Sequence, residues 1–204
     1  HGGAQADTLF GNDGDDTLFG DGSNDILVGG KGNDSIDGGG QSDLIFGGAG
    51  EDTLLGGIDG NDTIFGGAGA DVIDGGAGWD EIYGDAGSDW LSGGSGGSDT
   101  LYGGAGNDTL VTVSGNDVLW GGDGADIFVF EPTIGYATVR VEDFTRGEDV
   151  LDYSHFAGTT WENVAQFNYN DGEGVLVYVD TDHPYLLLSN IVSGALTQDD
   201  FIFG

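Results

Sequence analysis

The chain has 204 residues, a size that suits one or two domains. Its 37 acidic residues against three basic ones give a formal charge of −34, which argues against nucleic acid and anionic membranes as partners. The 44 glycines with two prolines rule out a collagen period, the absence of cysteine rules out disulfides and thiolate metal sites, and no apolar run reaches the length of a transmembrane segment.

From Gly2 to Val129 a nine-residue pattern recurs, seen in "GGAGNDTLV" from Gly103 to Val111. Its sixth position is aspartate in fourteen copies: Asp7, Asp16, Asp25, Asp34, Asp43, Asp52, Asp62, Asp71, Asp80, Asp89, Asp99, Asp108, Asp117 and Asp126. Each step is nine residues except two of ten, into Asp62 and Asp99. Two residues after each aspartate stands an apolar side chain, from Leu9 and Leu18 through Ile64 to Leu119 and Phe128. Such a period is the mark of a solenoid.

Each position has a physical task. Positions seven to nine carry Thr, Ile, Leu, Val and aromatics and predict a short strand. Side chains alternate across a strand, so position eight faces inward while seven and nine face out. Positions one to six form a turn, in which glycine supplies backbone angles closed to other residues. One strand per nine residues implies two strands per revolution, hence two parallel sheets back to back with a row of turns along each edge. Aspartates eighteen residues apart then stack at about 4.8 Å.

That stacking points to a metal. Carboxylates so close repel one another, and turn carbonyls beside them lack donors. Calcium takes six to eight oxygen ligands in flexible geometry, whereas magnesium keeps its waters and zinc prefers nitrogen and sulfur. Multiple calcium ions are therefore expected, with the fourteen aspartates as ligands.

These repeats resemble the RTX, or haemolysin-type, calcium-binding nonapeptide G-G-x-G-x-D-x-U-x. The resemblance implies an all-β, right-handed parallel β-roll (a β-solenoid) of fourteen nonapeptide coils over residues 1–129, with calcium held between turns. It also implies secretion by the type I machinery, guided by a C-terminal signal. "VEDFTRGEDVLDYS" (Val141 to Ser154) and "LTQDDFIFG" (Leu196 to Gly204) are similar to the family's C-terminal segments. Residues 130–204 are expected to form a β-rich cap carrying that signal.

The two edges are unequal. The even-numbered coils, with Asp16, Asp34, Asp52, Asp71, Asp89, Asp108 and Asp126, keep glycine at positions one and four. On the odd edge Gln5, Ser23 and Gln41 replace the glycine at position four, "GGIDGND" and "GGSGGSD" carry an extra residue, and "TVSGND" puts Thr112 and Val113 in place of the glycine pair. A continuous ladder of about six ions is expected on the even edge and fewer or weaker ones on the odd edge.

Position nine of the odd coils includes Phe10, Phe46, Phe65, Tyr83, Tyr102 and Trp120, an aromatic stripe on one outer face. It reads either as strand stiffening and packing against the tail, or as a docking face for a polysaccharide, a cell surface or another domain. In the tail, "ATVRVEDF", "VLVYVD" and "YLLLSNIV" predict strands, and Phe144, Leu151, Phe156, Trp161, Phe167, Tyr169, Phe201 and Phe203 a small core. His1 leads straight into the first coil, which predicts a preceding parent domain.

No catalytic constellation emerges, and the chain is not expected to be an enzyme. "GGSGG" matches G-x-S-x-G formally, but Ser95 lies in a repeat turn with no helix after it. His1, His155 and His183 share no zinc-ligand spacing. Ice binding lacks its regular threonine row. The expected function is a calcium-binding module that folds outside the cell and stabilises a secreted parent protein; the alternative is an adhesin-type module using the aromatic face.

Overall fold

The computed structural model describes residues 1–131, 138–156, 160–169, 174–178, 185–189, 191 and 196–204. Every nonapeptide forms one strand. The odd copies give β1 (Thr8–Asp13), β3 (Ile26–Lys31), β5 (Leu44–Ala49), β7 (Thr63–Ala68), β9 (Glu81–Ala86), β11 (Thr100–Ala105) and β13 (Val118–Asp123). The even copies give β2 (Thr17–Phe19), β4 (Ser35–Gly39), β6 (Thr53–Gly57), β8 (Val72–Gly76), β10 (Trp90–Ser92), β12 (Thr109–Thr112) and β14 (Ile127–Phe130).

Odd strands pair in parallel with odd strands and even with even, in order along the axis. Leu27 opposes Ile45, and Ile36 opposes Leu54, so equal repeat positions face each other one revolution apart. The ten-residue steps do not disturb this, since Ile45 still opposes Ile64 and Leu91 still opposes Leu110. Each nonapeptide is half a revolution. The fourteen copies therefore make seven turns of the spiral, and the expectation of fourteen coils is corrected to that number.

Position eight is the core. From Leu18 to Phe128 thirteen of these side chains are buried, while Leu9 at the first turn is partly buried. Each is worth roughly 2 kcal/mol of burial, and together they form a single file between the sheets. Position-two backbone is left-handed, with φ of 120° at Gly30 and 118° at Gly48, and a Cβ on Gly48 would stand 2.2 Å from the Gly30 carbonyl oxygen. Glycine favours this close turn-on-turn packing, and where Asn12, Asp21 and Asp85 take its place they hold φ of 78°, 71° and 70°.

Both sheets run on past residue 129 without a break. β15 (Thr138–Val141) pairs in parallel with β13, and β16 (Val150–Tyr153) with β14. β20 (Phe201–Phe203) follows β16. β17 (Ala165–Tyr169), β18 (Gly174–Tyr178) and β19 (Tyr185–Ser189) close the other sheet, with β17–β18 and β18–β19 antiparallel and β19 parallel to β15. The strands expected in the tail are all present. Phe144, Leu151, Phe156 and Phe201 are buried with Tyr153, while Trp161 and Phe203 pack partly buried against them. The side chains of Phe167 and Tyr169 lie outside the described set. Among the described residues no helix is long and apolar enough to cross a membrane.

Candidate metal centre

Each turn ends at its aspartate, and the turns are tied through it. The backbone N–H of every ladder aspartate except Asp117 donates to Oδ1 of the aspartate one revolution ahead. On the even edge Asp16 donates to Asp34 at 2.8 Å, Asp34 to Asp52 at 2.7 Å, Asp71 to Asp89 at 2.8 Å and Asp108 to Asp126 at 2.9 Å. The odd edge follows the same rule from Asp7 to Asp25 at 2.7 Å through to Asp99 and Asp117 at 3.0 Å.

Oδ1 is thus used, but Oδ2 is not. In Asp16, Asp25, Asp34, Asp43, Asp52, Asp62, Asp71, Asp80, Asp89, Asp99, Asp108 and Asp126 the second oxygen is buried with no hydrogen-bond partner. Native proteins leave few such atoms, and a dozen in register is a built feature. Each faces the glycine at position one of its own turn. A Cβ on Gly29 would lie 2.3 Å from Asp34 Oδ2 and 2.6 Å from the Gly47 carbonyl oxygen. On Gly66 it would lie 2.5 Å from Asp71 Oδ2 and 2.8 Å from the Gly84 carbonyl oxygen. Two acceptors from successive turns converge on a niche that only glycine leaves open.

Burial has the expected electrostatic effect. Desolvation, reinforced by neighbouring ladder carboxylates, raises Asp62 and Asp89 to about 7 and Asp99 to about 8. It raises Asp43, Asp71 and Asp126 to about 6, and also raises Asp117 to about 6. Asp52, Asp80 and Asp108 are raised for the same first cause. Only the N–H bond to Oδ1 pulls the other way.

A hard cation fits this donor set. It supplies positive charge to anionic oxygens that lack donors and tolerates carbonyls beside them. No three acidic or histidine side chains gather at one point among the described residues. The carboxylates are spread one per turn, and backbone carbonyls must complete any coordination shell.

The expected residues do not behave alike. Asp7, in the first turn, is half-buried and its Oδ1 receives no N–H from a preceding turn. Asp117 is buried, but its Oδ2 is absent from the orphaned set, and Thr112 puts a side chain at position one where other turns have glycine. Ser23 and Gln41 hold the left-handed backbone of position four at φ of 105° and 68°, a conformation that costs a side chain roughly 1 kcal/mol or more.

Two participants escape the period. Asp126 donates its N–H to Oδ1 of Asp149 at 3.0 Å, so Asp149 extends the even ladder from inside the tail. Its Oδ2 is not orphaned, because the Thr145 N–H donates to it at 2.6 Å. Asp143 takes the N–H groups of Gly121 and Gly122 on its two oxygens, both at 2.9 Å. The spacing of 23 residues between Asp126 and Asp149 hides the link in sequence, and its signal is the local G-x-D-x-L of Gly147, Asp149 and the buried Leu151.

The aromatic stripe is a stack. Phe46, Phe65, Tyr83 and Tyr102 lie 5.1, 4.7 and 4.7 Å apart with planes within 8°, and Trp120 continues the stack at 6.3 Å and 17°. Phe10 stands apart from it and is 62% exposed. Ser95 forms a backbone bridge with Ala77 in an odd-edge turn. His1 contacts Asp21 at 3.2 Å and His155 contacts Glu131 at 2.7 Å, while His183 lies outside the described residues.

A parallel β-solenoid with a buried, donorless carboxylate oxygen in twelve of its fourteen repeats defines a repeat protein of the cation-binding kind. The RTX calcium-binding nonapeptide repeat matches in four copies, over residues 1–27, 19–54, 56–91 and 93–128, and the chain belongs to that family. No curated protein matches the chain. Among solved structures it is similar to the AlgE6R3 subunit of the Azotobacter vinelandii mannuronan C5-epimerase, at 25% identity over 75% of this chain and 80% of that one, with a TM-score of 0.45. The AlgE6R2 subunit of the same epimerase matches at 23% identity over 81% and 91%, with a TM-score of 0.32. The extracellular lipase LipA of Serratia marcescens matches at 15% identity over 89% of this chain and 40% of that one, with a TM-score of 0.27.

Proposed function

We propose that the chain is a calcium-responsive scaffold of a secreted protein, extended at cytosolic calcium and folded on meeting extracellular calcium. The carrying observation is the register of twelve buried Oδ2 atoms without a partner. Burying an unpaired carboxylate is costly, so without a cation each such group must be solvated again or take up a proton. With −34 charges in the whole chain, the cheapest way to solvate them is to unfold. Ion binding then drives folding, as in other small metal-held domains.

In this reading the ladder aspartates and position-one carbonyls hold the ions, with tighter sites on the even edge and weaker ones on the odd edge. Residues 1–129 are the roll and residues 130–204 its cap, which covers the last turn and carries a type I secretion signal. The buried aromatic and aliphatic groups of β15, β16 and β20 support the capping role. The aromatic stack supports strand stiffening over a polysaccharide platform, because the rings cover one another's faces and offer solvent mainly their edges.

Circular dichroism during calcium titration and subsequent chelation tests the proposal. The expected result is coil without calcium, β-structure at millimolar calcium, and full reversal by chelator. A chelated protein that keeps its β spectrum overturns it.

A further inference from the structure

A second ladder runs beside the aspartates in the opposite sense. The side chain at position five accepts the backbone N–H of position five one revolution later. On the even edge Asp15 accepts from Asn33 at 2.9 Å, Asn33 from Glu51 at 3.0 Å, Ser88 from Asn107 at 3.2 Å and Asn107 from Ala125 at 3.0 Å. On the odd edge Ser42 accepts from Asn61 at 2.9 Å, Asn61 from Trp79 at 3.1 Å, Ser98 from Asn116 at 3.3 Å and Asn116 from Thr138 at 2.9 Å. These bonds need no metal. Where one is present, its two turns are pinned in both directions and hold their spacing before an ion arrives.

The ladder is interrupted, and the interruptions are not scattered evenly. Ala70 and Trp79 have no acceptor to offer at position five. Any plane that divides the roll crosses the contacts of two successive half-turns, one on each edge. Between residues 80 and 87 those contacts are Ala70 with Ser88 and Trp79 with Ser98, and neither is bonded. Elsewhere in the interior at least one of the two is: Ser42 with Asn61 and Asn61 with Trp79 bridge the unbonded Glu51 and Ala70, and Asp15 with Asn33 and Asn33 with Glu51 bridge Asn24. The even-edge pairing is also short there: β10 has three residues and pairs with β8 at three positions, as it does with β12, whereas β6 pairs with β8 at four.

We propose that the position-five acceptors are positioning residues that preorganise the ion intervals, and that the roll parts first within residues 80–87 as calcium is withdrawn. The inference rests on the calcium reading above. Its physical basis is that the intervals from Asp71 to Asp89 and from Asp80 to Asp99 have no metal-independent side-chain bond besides the aspartate's own. A net hydrogen bond changes a local opening equilibrium by about fivefold, so this seam is the interval most dependent on its ion.

Hydrogen exchange of the whole chain at stepwise lower calcium tests this. Peptides covering β8, β9 and β10 are expected to lose protection at higher calcium than those covering β4 or β12. Trp79 is 67% exposed, so Trp79→Asn leaves the core intact while supplying the missing acceptor. That variant, and independently Ala70→Asn, should restore seam protection by about fivefold. Asn61→Ala should widen the early-opening stretch to residues 62–87, and Asn61→Ser should return it to the original limits. Loss of protection at one common calcium level along the roll, or acceptor variants identical to the parent chain, overturns the inference. A parent chain indifferent to calcium overturns the calcium reading instead.

Discussion

The even and odd edges of the roll begin from one motif and diverge in how well they keep an oxygen niche open. On the even edge all seven aspartates from Asp16 to Asp126 leave Oδ2 buried and unpaired, and Asp149 adds an eighth carboxylate in register. On the odd edge Asp7 is half-exposed, Thr112 stands at position one of the Asp117 turn, and the register position after Asp117 holds Val139, since Val118 pairs with Arg140. In the proposed reading an aspartate alone does not make a site; the glycine that gives its second oxygen room, and the next turn's carbonyl, matter as much.

The comparison breaks most visibly at glycine. Gly29→Ala and Gly66→Ala place a Cβ against both niche oxygens, and each is expected to destabilise the calcium-loaded roll by about 3 kcal/mol. Thermal melts at fixed calcium check this. Removing a charge is next: Asp71→Asn should raise the calcium midpoint by about tenfold, because it removes an anionic ligand from the continuous ladder, whereas Asp117→Asn should move it by less than about twofold. Equal shifts would erase the distinction between edges.

Protons offer a third handle. The folded-state pKa values of Asp62, Asp89 and Asp99 lie near 7 to 8, above the ordinary 3.8, so the metal-free fold binds protons more tightly than the unfolded chain. Its stability is therefore fullest below about pH 4 and is lost as pH rises through 6 to 8. Calcium-free protein, a coil near pH 8, should gain β-structure by circular dichroism as the pH is lowered toward 5, while calcium affinity rises from pH 5 to 8. A flat profile contradicts the burial of these groups.

Two smaller effects sharpen the contrast. Thr112→Gly should open a niche beside Asp117 and add one weak ion to the odd edge, read by calorimetric stoichiometry. Gln41→Gly relieves a left-handed backbone at φ of 68° and should stabilise the roll by about 1 kcal/mol.

Much of this was legible in sequence because the repeat is local. Position eight, position six and the strand between follow from a period of nine, and the structure places Leu27 to Phe128 in the core. What the period hides is what depends on register instead of count. Asp149 joins the ladder across 23 residues because a hydrogen-bonding ladder tolerates a longer connection between its strands. The count likewise cannot reveal that position five bonds forwards while position six accepts from behind, nor that stacked rings spend their faces on each other. Thr112 looks in sequence like one lost glycine; its meaning comes from the oxygen niche at that position.

The central claim is that the orphaned Oδ2 atoms face cations. Crystals grown in calcium and measured for anomalous scattering test it directly. The account predicts peaks between successive turns, each within ligand distance of an even-edge aspartate Oδ2, in a continuous row from Asp16 to Asp126. A well-ordered roll with those oxygens buried and no peak beside them would contradict it.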